Sequence, residues 1–357
     1  MRPELPPLEK YVELLRDIWD SRMLSNFGKY AQLFESRAQQ QVGTPRVRSV
    51  ANADIGLVIA LAALDLPEGG EAIVPSFTFN STVNAIVWNR LTPVFADIDP
   101  ATFNLDPAEV ERLIGPRTVV VAGTHVFGNP CDADAVRAAA RGLPVVYDAA
   151  HAFGSRYRGR AVGTLGDLEV FSFSGTKLVT SAEGGLVAAS RDDLVRRVEY
   201  LRAYGFQGDY ESHLVGVNGK ISELNAALGA LTVEMVEAAV DKRHSLAAGY
   251  REHLGEVAEV GFQLVDPRDR STHKDFAIVC QRDRDGLERR LAAAEIQTKR
   301  YFRPAHTMRA YARYATGPLP RTEDLYRRIL CLPIFNELPL EDVGLIAGLV
   351  REHFRAG

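Results

Sequence analysis

Residues 118–154 read TVVVAGTHVFGNPCDADAVRAAARGLPVVYDAAHAFG, two short apolar runs separated by a segment with helical spacing. Short apolar runs are typical of strands buried on both faces, and their alternation with helices indicates βαβ units in a parallel sheet. The same rhythm continues in both directions along the chain. The runs are EAIVPS (71–76), TPVFADI (92–98), TVVVAGT (118–124), LPVVYDAA (143–150), LEVFSFS (168–174) and GGLVAAS (184–190). We therefore predict an α/β domain with a central, mostly parallel sheet flanked by helices.

The pattern changes near residue 240. A long charged helix is predicted over DKRHSLAAGYREHL (241–254), followed by two strand-like pieces, GFQLV (261–265) and DFAIVC (275–280), and by helices rich in arginine. This pattern predicts a smaller α+β domain. We place a large domain with an N-terminal helical segment at residues 1–240, and a small C-terminal domain at residues 241–357.

Composition narrows the class of protein. The 357 residues are 46% hydrophobic, and 42 Lys and Arg against 46 Asp and Glu give a net charge of -4, without the basic excess of nucleic-acid-binding proteins. The start MRPELPPLEK does not resemble a signal peptide, and the longest apolar run, Ile55–Leu64, is too short for a membrane helix. The cysteines are too widely spaced for a CxxC metal site. We expect a cytoplasmic protein without a nucleic-acid, membrane or metal partner.

A lysine follows one of the predicted strands, at a place where chemistry is expected. Ligands of parallel sheets bind beyond the carboxyl ends of the strands. In FSFSGTKLVTSAEGGLV (171–187), Lys177 comes just after such an end, beside small residues. A buried lysine near another cation has a lowered pKa and can attack an aldehyde as a free amine. A solvated surface lysine explains the segment equally well.

A carboxylate closes another predicted strand, in VVYDAAHAFG (145–154). If Asp148 is buried there it needs a cation, and a protonated pyridine nitrogen would be one. Taken alone, Asp148 is better explained as a helix N-cap before the alanines. His151 could hydrogen-bond a cofactor oxygen, although a core histidine is the better explanation from the sequence alone.

An aromatic ring and a helix start complete the candidate site. Phe79, in VPSFTFNST (74–82), could lie against a flat cofactor ring or belong to the core. A phosphate could bind where Ala53 and Asp54 open the helix predicted in SVANADIGLVIALAAL (49–64), with Ser172 adding a hydroxyl. The charge of Asp54 would repel a phosphate, so we expect this residue to contribute only its amide or to act as an N-terminal helix acid.

Taken together, the segments resemble the DegT/DnrJ/StrS family of sugar aminotransferases, a branch of the aspartate-aminotransferase-like (fold type I) pyridoxal-phosphate enzymes. The resemblance runs through most of the chain. It is carried by NFGKYAQLFE (26–35), VPSFTFNSTVNAI (74–86), PVFADID (93–99), THVFGNPCD (124–132), YDAAHAFG (147–154), SFSGTKLV (172–179), EGG (183–185), VNGKISELNAALG (217–229), THKDF (272–276) and YFRPAH (301–306).

This resemblance implies a pyridoxal 5'-phosphate cofactor and gives roles to the residues around its ring. Lys177 would hold the cofactor as a Schiff base and carry protons during catalysis. Asp148 would pair with the pyridine nitrogen, His151 would lie near the phenolic oxygen, and Phe79 would stack on the ring.

The resemblance also implies a phosphate site and a homodimer. Ser172 would bind the phosphate, whereas Ala53 and Asp54 stand where family members commonly have Gly-Thr. Asn218 corresponds to an asparagine that reaches across a dimer interface to the phosphate of the neighbouring subunit, so the active sites would be shared. Without the resemblance, Asn218 would be only a turn residue before Gly219.

The implied reaction moves an amino group from L-glutamate, which leaves as 2-oxoglutarate, to a nucleotide-linked keto-sugar. The expected substrate is a dTDP-4-keto-6-deoxyhexose, and the product is the corresponding 4-amino-4,6-dideoxysugar. The substrate-binding candidates are Lys220, Arg202, Lys274, Arg300, Arg303 and His306. Guanidinium and ammonium groups suit a diphosphate, but solvated surface charge explains each cation equally well.

Other functions within the same family stay open. Amination at carbon three of the sugar is one alternative. A sugar dehydratase is another, although members of that kind usually carry histidine in place of the lysine that is present here as Lys177. A non-catalytic member that binds the cofactor without turnover is disfavoured, because every cofactor contact has a suitable residue.

Overall fold

The computed structural model describes residues 3–355, and a seven-stranded sheet forms the centre of its larger part. The strands are β1 (Val47–Val50), β2 (Glu71–Pro75), β3 (Thr92–Ala96), β4 (Thr118–Thr124), β5 (Val145–Asp148), β8 (Leu168–Ser172) and β9 (Gly185–Ala189). They lie in the order β1-β9-β8-β5-β4-β2-β3, and β9 is antiparallel to both of its neighbours while the other pairs are parallel. This confirms the predicted α/β class with a mostly parallel sheet.

Helices cover both faces of this sheet. They are α1 (Leu8–Ser21), α2 (Lys29–Val42), α3 (Ala53–Ala63), α4 (Asn80–Trp88), α5 (Pro107–Leu113), α6 (Ala133–Ala139), α7 (Asp192–Leu201) and α8 (Glu223–Val233). A short hairpin, β6 (Arg156–Tyr157) with β7 (Arg160–Ala161), lies outside the sheet. Along β5, Val145 and Tyr147 pack into one core cluster and Val146 into another. Neighbouring residues of one strand therefore face opposite cores, which explains the continuous apolar runs.

The C-terminal part of the described chain contains a three-stranded antiparallel sheet, β10 (Val260–Phe262), β11 (Phe276–Cys280) and β12 (Ile329–Leu332). It packs with α9 (Val236–Leu254), α10 (Arg284–Ala293), α11 (Pro320–Arg328) and α12 (Leu340–Arg355). The segment between β11 and β12 returns to the larger sheet, where the Ala305 amide donates to the Ser76 carbonyl over 2.9 Å. Because α9 begins before residue 240 and crosses it, the division at residues 240 and 241 stays a prediction.

Two further sequence expectations concern membranes and thiols. Between residues 3 and 355, every helix falls short of the length and apolar character that a membrane span requires. Cys131, Cys280 and Cys331 are buried free thiols.

Candidate active site

A cavity of about 550 Å³ opens beyond the carboxyl ends of β4, β5 and β8. We refer to it as the strand-end cavity. Its lining combines strand ends, the first turn of α3, and a segment that arrives from the C-terminal part. The lining residues are Asn52, Ala53, Asp54, Ile55, Leu57, Phe79, Ser81, Thr124, His125, Asp148, Ala150, His151, Ser172, Ser174, Thr176, Lys177, Glu183, Lys274, Tyr301 and Phe302. Most of the residues predicted to contact a cofactor thus share one cavity.

Lys177 lies in the loop between β8 and β9, where its backbone amide donates to the Ser174 carbonyl over 3.0 Å. Burial, with a contribution from the positive charge of Lys274, lowers the pKa of the Lys177 ammonium from 10.5 to about 8. Asp148, Asp275 and Asp54 act in the opposite direction but do not cancel this effect. The side chain therefore has the lowered pKa that attack on an aldehyde requires.

Asp148 ends β5 and is 4% exposed. Its Oδ2 accepts a hydrogen bond from the Thr82 hydroxyl over 2.6 Å, and its Oδ1 accepts one from the Ala150 amide over 3.0 Å. Burial raises the pKa of the Asp148 carboxyl, although both hydrogen bonds and the charge of Lys177 act to lower it. The N-cap explanation is not what the structure shows, since α6 ends before β5 and no helix begins at Asp148 within the described residues.

His151 follows β5 and lies beside two aromatic rings. Its imidazole is stacked with Phe127 and Phe302, with ring centroids 6.3 Å and 6.1 Å away. Burial, followed by the charges of Lys177 and other lysines, lowers the pKa of His151 well below its ordinary value, so the ring is neutral. Its buried Nδ1 has no hydrogen-bond partner among residues 3–355. His151 also lines the cavity, and a buried polar nitrogen without a protein partner is uncommon.

The start of α3 forms one end of the cavity. Asn52 is the N-cap, and its side-chain oxygen accepts from the Ile55 amide over 2.9 Å. β9 passes close to this turn because it begins with glycine: a Cβ on Gly185 would lie 2.8 Å from the backbone carbon of Asn52. Ala53 and Asp54 supply the first-turn amides, which have no partner within a helix. Such a turn suits a phosphate.

The remaining predicted cofactor contacts lie around the same opening. Ser172 ends β8 and is buried, and it lines the cavity. Phe79 is the N-cap residue of α4, and its side chain is 54% exposed. The Phe79 ring centroid is 6.5 Å from that of Phe302. An aromatic ring with an uncovered face at a cavity is available to contact a planar ligand.

Lys274 also lines the strand-end cavity, and it is the substrate candidate that the fold buries most deeply. Its side chain is 2% exposed, and its Nζ lies 3.1 Å from Asp275 Oδ2. The positive charge of Lys274 contributes to the lowered pKa of Lys177. Lys274 therefore places a positive charge close to Lys177.

Several other candidate cations make protein contacts outside the cavity lining. Arg202 is buried, with its Nη1 2.6 Å from Glu35 Oε1 and 2.6 Å from the Ser49 carbonyl oxygen. Arg300 pairs with Glu288 and Asp285. These contacts do not place either guanidinium in the cavity, and a substrate role for them stays a prediction.

Lys220 and Asn218 lie on the segment that follows α7. The Lys220 ammonium lies over the Tyr204 ring, 4.0 Å from its centroid. Asn218 is exposed and forms a bridge with Ala203. Neither side chain lines the cavity of its own chain.

Arg303 and His306 follow the two aromatic residues that line the cavity. Arg303 is exposed. His306 is buried, with its Nδ1 2.6 Å from the Ser76 hydroxyl and its Nε2 3.2 Å from Glu323. These contacts tie the C-terminal segment to the end of β2, outside the cavity lining.

Sequence reasoning missed several residues of the site. Thr82, which holds Asp148, lies in the first turn of α4, and Thr124 ends β4. Thr124 ends the predicted strand TVVVAGT (118–124), so its position gave a signal, whereas the contact of Thr82 with Asp148 depends on how α4 packs on the sheet. Tyr301 and Phe302 belong to YFRPAH, a segment that carried the resemblance without a role for its aromatic residues.

Comparison with known families assigns the chain. The model of the DegT/DnrJ/EryC1/StrS aminotransferase family matches residues 8–351. The chain belongs to this family. It is therefore an aminotransferase, and the resemblance found in the sequence is confirmed.

Individual relatives are similar to this chain over almost their whole length. GDP-perosamine synthase of Escherichia coli O157:H7 is 32% identical, with 99% of this chain and 97% of the relative covered. The dTDP-4-amino-4,6-dideoxy-D-glucose transaminase of Shigella dysenteriae is also 32% identical, with 98% and 97% covered. A crystal structure of DesI in the presence of its TDP-sugar product is 37% identical, with a TM-score of 0.92 and 99% and 92% of the two chains covered.

Proposed function

We propose that this aminotransferase holds pyridoxal 5'-phosphate in the strand-end cavity and transfers the amino group of L-glutamate to a nucleotide-linked keto-sugar. The observation that carries the proposal is the gathering of Lys177, Asp148 and His151 around one cavity. An amine of lowered pKa, a buried carboxylate and a neutral imidazole match the aldehyde, ring nitrogen and phenolic oxygen of that cofactor. The residues present therefore fit the group.

Each end of the cofactor has residues to hold it. Asp148 would keep the ring nitrogen protonated, His151 would hydrogen-bond the phenolic oxygen, and Phe79 would cover a ring face. The amides of Ala53 and Asp54 and the Ser172 hydroxyl would receive the phosphate. When bound, pyridoxal phosphate supplies the electron-accepting ring that amino transfer needs. Residues 53 and 54 are Ala-Asp where family members commonly have Gly-Thr. This difference does not remove the backbone amides of the two residues, which are the groups proposed to bind the phosphate.

Lys177 has two tasks in this proposal. It first binds the cofactor aldehyde, and once released it carries a proton between the substrate carbon and the cofactor. A proton carrier works best when its pKa lies near the working pH. The pKa of about 8 suits the Lys177 amine to accept and return a proton near neutral pH.

The nucleotide-linked substrate is supported by the named relatives. DesI is described with a TDP-sugar product, and the Shigella dysenteriae relative is named for a dTDP-linked 4-amino-4,6-dideoxysugar. We therefore propose a dTDP-4-keto-6-deoxyhexose as the amino acceptor. Lys220 and Arg303 stay candidates for the diphosphate. Lys274 is buried close to Lys177. We therefore propose that the Lys274 ammonium binds a carboxylate of glutamate and not the diphosphate.

We also propose that the enzyme works as a homodimer. The described surface exposes large apolar side chains, among them Trp88 at 78% and Val215 at 99%. Val215 is near Asn218 in sequence, and the exposed Asn218 could reach the phosphate in a neighbouring subunit. Sedimentation velocity at several concentrations tests the dimer. Asn218→Ala should weaken cofactor binding without changing the sedimentation coefficient.

Absorption spectroscopy tests the proposed reaction. The purified protein should show a visible cofactor band, lose it on addition of glutamate, and regain it on addition of a dTDP-4-keto-6-deoxyhexose. Lys177→Ala should lack turnover, whereas the exposed-lysine control Lys10→Ala should match the wild type. A band that glutamate leaves unchanged would contradict the amino transfer. Recovery with a 3-keto but not a 4-keto substrate would support the carbon-three alternative.

A further inference from the structure

A row of buried threonine hydroxyls leads to Asp148. The Thr82 hydroxyl donates to Asp148 Oδ2 over 2.6 Å, the hydroxyl oxygens of Thr78 and Thr82 are 2.8 Å apart, and those of Thr78 and Thr124 are 2.7 Å apart. Thr78, Thr82 and Thr124 are 0%, 2% and 5% exposed. They come from the turn after β2, from α4 and from the end of β4, so the fold joins distant segments into one hydrogen-bonded row.

The direction of this row follows from proton counting. A hydroxyl has one hydrogen to donate and can accept through its oxygen. An ionised Asp148 can only accept, so the Thr82 hydrogen points to it. Thr78 must then donate to Thr82, and Thr124 must donate to Thr78. All three hydroxyl dipoles therefore point their positive ends towards the carboxylate, an arrangement that favours its charge.

Opposing influences act on the same carboxylate. Burial disfavours the ionised form, and the negative charge of Asp54 acts in the same direction. Lys177 and the Ala150 amide act with Thr82 to favour it. Each carboxylate oxygen receives one protein hydrogen bond, from Thr82 or from Ala150. Lone pairs remain on both oxygens for a further donor, since a carboxylate has about four acceptor positions.

We propose that Thr82, Thr78 and Thr124 are positioning residues that keep Asp148 ionised and oriented towards a protonated pyridine nitrogen. The proposal rests on the pyridoxal-phosphate function proposed above. Without the Thr82 hydroxyl, the carboxylate would become a stronger base and would draw the proton from the ring nitrogen. The effect on Asp148 should weaken with distance along the row, because the Thr124 hydroxyl reaches the carboxylate only through two other hydroxyls.

The test compares threonine variants of similar shape. Thr82→Val removes the hydroxyl, Thr82→Ser keeps it, and Thr124→Val removes the far end of the row. Thr322→Val is the matched control, because the buried Thr322 hydroxyl donates to the buried Asp97 carboxylate over 2.7 Å. Nitrogen-15 NMR of enzyme loaded with ring-labelled pyridoxal phosphate reports the protonation of the pyridine nitrogen.

We expect the nitrogen signal to move towards the unprotonated position in Thr82→Val, less so in Thr124→Val, and not in Thr82→Ser or Thr322→Val. The reaction with glutamate should slow about tenfold in Thr82→Val, a loss typical of one hydrogen bond to a charged group. An unchanged nitrogen signal in folded Thr82→Val would overturn the proposal. An equal change in Thr322→Val would also overturn it, by showing a general effect of lost packing.

A measurement on the cofactor-free protein separates this proposal from the proposed function. The carboxyl carbon of Asp148, followed by carbon-13 NMR, should titrate at higher pH in Thr82→Val than in the wild type or in Thr82→Ser. Failure of the wild type to bind pyridoxal phosphate would refute the proposed function. An Asp148 titration that does not change in Thr82→Val would refute the role of the threonine row even if the cofactor binds.

Discussion

Removing the positive charge of Lys274 should raise the pH at which Lys177 reacts with an aldehyde. Burial is the largest cause of the lowered Lys177 pKa of about 8, and Lys274 is the next. At pH 7, about one amine in ten is neutral at a pKa of 8, against about one in three thousand at the ordinary lysine pKa. The cavity thus supplies roughly a three-hundredfold increase in the reactive form.

The perturbation is Lys274→Met, which keeps the length of the side chain and removes its charge. It also removes the ion-pair partner of Asp275, whose negative charge acts to raise the Lys177 pKa. Both changes raise the Lys177 pKa. A shift of about one pH unit is typical for one nearby charge, and it would lower the reaction rate at pH 7 about tenfold.

The assay follows the recombination of cofactor-free enzyme with pyridoxal phosphate. Under the proposed function the visible band should grow as Lys177 reacts, and its initial rate is measured from pH 6 to pH 10 at a fixed cofactor concentration. The wild-type rate should reach half of its maximum near pH 8, because only the neutral amine attacks. The midpoint for Lys274→Met should lie higher.

Two control variants separate charge from packing. Lys274→Arg keeps a cation and should keep a midpoint close to that of the wild type. Lys274→Met combined with Asp275→Asn removes both charges, so the midpoint should fall between the wild type and Lys274→Met. Circular dichroism checks that each variant is folded. A folded Lys274→Met protein with an unchanged or lower midpoint would refute the electrostatic reasoning.

Three further substitutions test other parts of the structure. Asp148→Asn removes the carboxylate charge and should slow the glutamate half-reaction on the order of a hundredfold by stopped flow, with the visible band retained. Retained speed would argue against the ring-nitrogen role. Arg243→Met should lower the free energy of unfolding in urea by about 2 to 4 kcal/mol, because the buried Arg243 guanidinium donates to the Ile334 carbonyl. Glu169→Gln should lower the free energy of unfolding in urea by about 2 kcal/mol, because the Glu169 carboxylate accepts hydrogen bonds from several backbone amides. The pH midpoint of the Lys177 reaction should stay near pH 8 in this variant.

Six of the seven strands of the large sheet could be predicted from the sequence, because each of the six is an apolar run between polar ends. β1 was missed because VRSV is only four residues long and contains Arg48. β12 was missed because ILCL follows directly on α11, with no turn signal between them. The order of the strands depends on tertiary packing, which local patterns do not contain.

The candidate site was predictable where a residue ends a strand. Asp148 and Ser172 end strands, Lys177 lies in the loop that follows one, and the topology of a parallel sheet brings strand ends together. Charged residues outside the strands were less predictable, because their partners are distant in sequence. Arg202 is held by Glu35, and nothing local to either residue indicates that pairing.

The pairing of β1 with β9 also bears on how the chain folds while the ribosome makes it. Val47 of the edge strand β1 pairs with Ala188 of β9, so well over a hundred further residues must be synthesised before β1 can pair. The first turn of α3 packs against Gly185 of β9, so this contact also forms only after β9 has been synthesised. Contacts between segments that are distant in sequence form slowly. During synthesis a strand can pair only after its partner strand has left the ribosome. A nascent chain released before residue 190 would therefore lack the surface on which a phosphate site could form.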